Sequence, residues 1–238
     1  MTAIYKRELR SYFSTPLGYV FCAVYLAASG FLFALLTLRS STSDVSSYAS
    51  MMIFGFVAVL PLLTMRSFSE EKRLRTDALL LTSPVSATGI VLGKYLASLT
   101  VFAGNLLLSC VYVIPLGKYA AEHSPVSPAR TFGCFFAMFL VGACFIAVGV
   151  FVSSLTENQV VAAIGTMAIL FFFACLALFN GMIDSYAIRT VLSWISLYSR
   201  FSNFTYGMFD FAALLYYLSF AAVFVFLTVR VTERRRWI

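Results

Sequence analysis

The densest group of ionisable side chains is Arg66-Ser67-Phe68-Ser69-Glu70-Glu71-Lys72-Arg73-Leu74-Arg75-Thr76-Asp77-Ala78-Leu79-Leu80-Leu81-Thr82-Ser83-Pro84-Val85. Ser67 and Glu70 have the capping-box spacing, in which each side chain accepts a backbone N–H at a helix start. Pro84 disfavours helical geometry at Ser83 and marks an end. A charged turn followed by an apolar one, in a short helix, suits docking to another protein. A solvated basic loop fits the same residues. A second polar stretch, Ser153-Ser154-Leu155-Thr156-Glu157-Asn158-Gln159, is short and has no Lys or Arg, which is compatible with a second contact point. Catalytic chemistry is missing. His123 is the single histidine, with no H-E-x-x-H arrangement around it, and no G-x-x-x-x-G-K-[ST] phosphate loop occurs. Cys22, Cys110, Cys134, Cys144 and Cys175 lie in apolar runs without a C-x-x-C, and read as small core hydrophobes. No catalytic, cofactor-binding or metal-binding residue is therefore predicted in this chain, and it is not expected to be an enzyme.

The elements around these stretches are apolar to a degree that decides the class. Of 238 residues 61% are hydrophobic and 11% charged, against about 45–50% and about 25% in soluble domains. So few charges cannot cover a water-facing exterior. Six continuous stretches reach the roughly 20 residues needed to cross a bilayer: Leu17–Leu38, Tyr48–Met65, Tyr95–Gly117, Thr131–Val152, Val160–Ile183 and Phe211–Val229. None contains Asp, Glu, Lys, Arg or His. Continuous runs predict helices, since a barrel would alternate. The first is read as a span and not a cleaved signal, because apolar residues resume at once after Ala27-Ala28-Ser29-Gly30.

Orientation follows from Lys and Arg. With both termini cytoplasmic, the inside holds Lys6, Arg7, Arg10, Arg66, Lys72, Arg73, Arg75, Lys94, Arg230, Arg234, Arg235 and Arg236. The outside holds Arg39, Lys118, Arg130, Arg189 and Arg200. The surplus of 17 basic over 10 acidic residues is thus membrane anchoring, with anionic lipid as its partner and no nucleic acid. Residues 2–13 predict an interfacial helix with Tyr5, Leu9, Tyr12 and Phe13 on one face. Residues 184–205 are apolar enough for one or two short helices dipping into the outer leaflet, with structural pairing expected among Asp184, Arg200 and Asp210. No span offers an ionisable group for ion coupling; Asn105, Asn180, Tyr25 and Tyr112 are its main polar residues. What remains is a transporter subunit driven by a separate ATPase, or a passive scaffold.

Tyr5-Lys6-Arg7-Glu8-Leu9 with Tyr12-Phe13 and Pro16-x-Gly18-Tyr19 resembles the start of ABC-2 type permeases, in particular their gliding-motility-associated branch. Met65-Arg66-Ser67-Phe68-Ser69-Glu70-Glu71-Lys72, then Thr76, Leu79-Leu80-Leu81-Thr82-Ser83-Pro84 and Gly93-Lys94-Tyr95, is similar to that branch's first cytoplasmic loop. Ser153–Gln159 resembles its second, and Ser202, Gly207 and Asp210 echo the approach to its last span. The pattern departs from the family at Arg75, where glycine is usual, and at Ala78, where glutamate is usual.

The resemblance implies an all-α integral membrane protein in a single domain: six transmembrane helices, an interfacial helix, a cytoplasmic coupling helix over 67–83 and short outer re-entrant helices. It implies a dimer of permease subunits, homo- or heteromeric, with ATP-binding subunits that hold the ATP and magnesium, in a bacterial inner membrane. An accessory extracytoplasmic protein is a further implied partner. Contact with the ATPase subunit falls to Phe68, Glu70, Glu71, Lys72, Arg73, Leu74, Arg75, Thr76, Thr156, Glu157 and Asn158. The exported substrate is not implied.

Overall fold

A computed structural model describes residues 2–39, 44–76, 86–119, 127–180 and 196–236. Its regular structure is all helical, with no strand among the described residues. The order is α1 (Thr2–Ser14), α2 (Pro16–Phe33, extended by a π turn, Ala34–Leu38), α3 (Ser46–Thr64), α4 (Ser69–Arg73), α5 (Ala87–Ser109, continued by a 3-10 turn, Cys110–Tyr112), α6 (Val113–Tyr119), α7 (Pro128–Leu155), α8 (Gln159–Asn180), α9 (Leu197–Thr205) and α10 (Phe211–Arg236). Six of these, α2, α3, α5, α7, α8 and α10, are long and apolar enough to cross a membrane.

Between helices in a bilayer the driving force is close packing and not expulsion from water. The most buried span is α7, which packs against α3, α5, α8, α9 and α10. Gly149 permits its approach to α3, because a Cβ there would lie 2.1 Å from Thr64 Oγ1. Beside this seam Tyr25, Phe56 and Phe102 form an aromatic cluster, with edge-on ring pairs at 6.1 and 5.3 Å; each such pair is worth about 0.5–1.5 kcal/mol beyond burial. Asn105 donates to Val101 O at 2.9 Å and lies 3.2 Å from Cys22 Sγ, so its amide joins α5 to α2.

The N-terminal helix lies across α5. Ile4, Leu9 and Tyr12 pack on the core, while Lys6, Arg7 and Arg10 are exposed. Phe13, expected on the packed face, is exposed and meets Tyr19 edge-on at 6.3 Å. Tyr12 donates to Leu63 O at 3.1 Å and is 2.9 Å from Ser98 Oγ; Tyr5 is 3.0 Å from Thr100 Oγ1. Pro16 starts α2, and Gly18 accepts the end of α1 at close range, since a Cβ would meet Tyr12 O at 2.1 Å.

The helix of the third span begins at Ala87, capped by Ser86 Oγ, well before the apolar run opens at Tyr95. A charge at Lys94 does not end the helix, because that charge is buried and paired within the protein.

At the far end α9 packs on α7, and Asp210 Oδ1 caps α10 by accepting from Ala212 N at 2.9 Å and Ala213 N at 3.2 Å. The pairing expected between Arg200 and Asp210 is not made. Asp210 Oδ2 instead accepts from Asn203 at 2.8 Å, and the Arg200 guanidinium stacks over the Tyr216 ring at 4.5 Å. A ring face attracts a cation without a second charge, while Arg200 Nε is buried with no hydrogen-bond partner. Asp184 and residues 181–195 lie outside the described residues.

Candidate functional site at the basic end of the bundle

The loop helix α4 sits at the same end as α1. Its start differs from the capping box expected at Ser67 and Glu70. Ser67 Oγ is buried with no hydrogen-bond partner, and Glu70 turns to Arg66. The hydroxyl comes from another helix: Ser153 Oγ of α7 accepts from Phe68 N at 3.0 Å and Ser69 N at 3.2 Å, and donates to Met65 O at 3.1 Å. Free N–H groups at a helix start need such an acceptor, and a long-range serine supplies it.

The helix ends after five residues in a Schellman turn. Arg75 N donates to Lys72 O at 3.0 Å and Thr76 N to Glu71 O at 2.9 Å, the paired pattern that closes a helix through one left-handed residue. That residue is Arg75, at φ 54°, the one non-glycine residue with positive φ among those described. The usual glycine at this position in the resembled family has its physical reason here, since a Cβ is disfavoured in this region. A single helix over 67–83 is thus not formed: the described part stops at Arg73, and residues 77–85, with Asp77 and Ala78, lie outside the described residues.

Below α4 four charges are joined. Lys94, 1% exposed, places Nζ 3.0 Å from Glu8 Oε1 and 3.0 Å from Glu71 Oε2, and donates to Ser67 O at 2.7 Å. Its ammonium also lies 5.0 Å from the centre of the Phe68 ring. Arg7 completes the group, 2.6 Å from Glu71 and 2.9 Å from Glu8. Two cations and two carboxylates balance. Burial works to raise the Glu8 carboxyl, but Lys94 and Arg7 outweigh it and hold it below the ordinary glutamate value. Burial pushes the Tyr12 hydroxyl, one turn along α1, up to about 12.

The second polar stretch closes the site. Lys72, buried, donates to Ser154 O, so α4 is fastened to α7 by side chains from both directions. Asn158 Oδ1 accepts from Val160 N at 2.9 Å and opens α8, with Thr156 Oγ1 accepting from Asn158 N at 3.2 Å. The two stretches form one surface, with α4 in contact with both α7 and α8.

The eleven residues singled out in sequence divide into two sets. Phe68 and Lys72 are buried, while Glu70 and Glu71 point into ion pairs with Arg66, Arg7 and Lys94. Arg73, Leu74, Arg75, Thr76, Glu157 and Asn158 are exposed, and Thr156 is half-buried between them. Leu74 is 59% exposed and Leu155 52%, so two apolar side chains stand among the exposed polar and charged residues of this surface. Sequence reasoning missed Arg7, Glu8 and Lys94 as parts of the site, and gave Ser153 only as the first residue of the second polar stretch. The available signal was Lys94 itself, a charge flush against an apolar run.

A family model described as ABC-2 family transporter protein matches residues 36–231. The chain belongs to this family. No curated protein matches it. Membership in the ABC-2 family makes the chain a multi-pass membrane protein and a permease subunit of an ATP-binding-cassette exporter, the non-catalytic member of a machine that also has an ATP-binding subunit. The matched residues contain α4, the Ser153–Gln159 stretch and spans two to six.

Proposed function

We propose that the surface of Arg73–Thr76, Leu155, Glu157 and Asn158 is the contact through which this ABC-2 permease is driven by its ATP-binding subunit. The observation that carries the reading is the division of α4 itself. One side is fastened to α1, α5 and α7 by Glu71, Lys72 and Lys94, and the other presents exposed charges around Leu74. An anchored element with a free outer face suits the transfer of a displacement into a bundle. Nucleotide shifts a conformational equilibrium only by differential affinity for its two states, and this face is where such a difference would enter.

Both termini and the basic end lie in the cytoplasm, by the excess of Lys and Arg there. The membrane is the bacterial inner membrane. Two permease subunits pair with two ATP-binding subunits, which hold ATP and magnesium, and α4 is the coupling helix. Likeness to the gliding-motility-associated branch rests on the Tyr5–Leu9, Met65–Lys72 and Gly93–Tyr95 stretches.

The test is gentle-detergent purification of the tagged chain from its native host, with identification of co-eluting proteins and an ATPase assay. A stoichiometric ATP-binding subunit with nucleotide hydrolysis is the expected result. Purification of the chain alone, without nucleotide-dependent activity, overturns the reading in favour of a membrane scaffold.

A further inference from the structure

We infer that Lys94 is a positioning residue of the driving contact, tying α4 to the N-terminal helix α1 so that a displacement imposed on α4 is carried by α1 and the third span together. The inference rests on the proposed role of α4 for its second half, but its first half, the tie, stands alone.

The geometry is that of a junction. Among the described residues, Lys94 is the one cation that reaches all three elements: it belongs to α5, pairs Glu8 of α1, pairs Glu71 of α4, and donates to the backbone at Ser67. Its side chain is 1% exposed, with the Phe68 ring beside it. Arg7 links the same two carboxylates from the exposed side. α1 is thus held to α4 through charges at its second turn, and to α5 by Tyr5 and Tyr12 along its length. An ion pair at a wet surface is weak and exchanges partners readily. A buried one with several hydrogen bonds is stiff, because removing one partner leaves an uncompensated charge. Ile4 packs within 3.1 Å of where a Cβ on Gly93 would stand, so α1 also lies too close to α5 at this point to slide freely. Displacing α4 without α1 would separate Glu71 from Arg7 and Lys94. Moving α4, α1 and the end of α5 that carries Lys94 together keeps every pair.

The experiment has two arms. In the first, amide hydrogen exchange is followed in the purified full chain for wild type, Lys94→Met and the charge-compensated Lys94→Met/Glu8→Gln. Lys94→Met is expected to raise exchange about a hundredfold over both α1 and residues 66–76, as removal of one partner of a buried group implies. The segment Pro128–Leu155 is expected to keep its protection, and the compensated variant to recover part of the loss. Unchanged protection of α1 in Lys94→Met overturns the tie whatever the ATP-binding subunit does.

In the second arm the compensated variant is assembled with the ATP-binding subunit. It is expected to bind that subunit as wild type does, yet to lose most of the coupling between hydrolysis and transport, which a merely structural lysine would not affect. Wild-type coupling in this variant overturns the positioning role. If wild type itself binds no ATP-binding subunit, the proposed function falls and the positioning role falls with it, while the first arm still decides the tie.

Discussion

Arg75 holds a conformation that its side chain disfavours, and this gives a prediction whose sign and size follow from the backbone. Its φ of 54° is enforced by the two hydrogen bonds that close α4 onto Glu71 O and Lys72 O. A residue with a Cβ is disfavoured there by about 1–2 kcal/mol, and glycine avoids the clash but brings about 0.5–1 kcal/mol of extra freedom to the open chain. Arg75→Gly should therefore stabilise the closed turn by a net of about 0.5–1 kcal/mol, slowing amide exchange at Arg75 and Thr76 by about two- to fivefold. Arg75→Ala is the control, since it removes the guanidinium and keeps the Cβ. Exchange in Arg75→Ala should stay near that of wild type. Equal behaviour of the glycine and alanine variants, or faster exchange with glycine, would refute the backbone argument. It would mean that the guanidinium, and not the turn, governs this end of α4.

Other expectations concern the supports of the same site. Ser153→Ala strips the acceptor from two buried N–H groups and should destabilise α4 by about 1–3 kcal/mol, read as faster exchange over residues 68–73 with the spans unaffected. Gly149→Ala places a Cβ 2.1 Å from Thr64 Oγ1 and should cost about 1–3 kcal/mol in the α3–α7 seam, seen as a lower thermal midpoint in detergent. Glu8, held below its ordinary value of 4.5 by Lys94 and Arg7, contributes stability that is present above 4.5 and is lost as pH falls through its lowered folded value. Protection of α1 should accordingly be level from pH 7 down to that region and then drop, and Glu8→Gln should remove the drop. Persistence of the drop in Glu8→Gln would refute its assignment to Glu8.

Continuous apolar runs made the six spans legible, because a membrane helix satisfies its own backbone and needs only length and apolarity. The packed face of α1 was legible in part: Leu9 and Tyr12 pack as their spacing requires, but Phe13 turns out beyond it. The start of α4 was not. Ser67 and Glu70 carry the local signature of a cap, yet the acceptor is Ser153, which is 85 residues from Phe68 in the chain. Lys94 counted toward orientation as one basic residue among twelve, and its place flush against an apolar run was the one local sign that it differs from an anchoring lysine. Its partners stand 86 residues before it and 23 residues before it, at Glu8 and Glu71. Three of the stretches that resemble the permease branch supply this charge group, Tyr5–Leu9 with Arg7 and Glu8, Met65–Lys72 with Glu71 and Gly93–Tyr95 with Lys94, and only the fold brings them together. Arg75 gave a signal only as a departure from glycine, without the dihedral angle that explains it.

The most direct test of the driving contact is photo-cross-linking in native membranes from a reactive residue at Leu74, with a second at Asn158 and a control at Phe31. Leu74 and Asn158 lie on the proposed contact, while Phe31 is an exposed position on α2. Covalent capture of one and the same ATP-binding subunit from Leu74 and Asn158, and not from Phe31, is the predicted result. Capture of that subunit from neither position, in membranes where it and this chain are both present, would contradict the account.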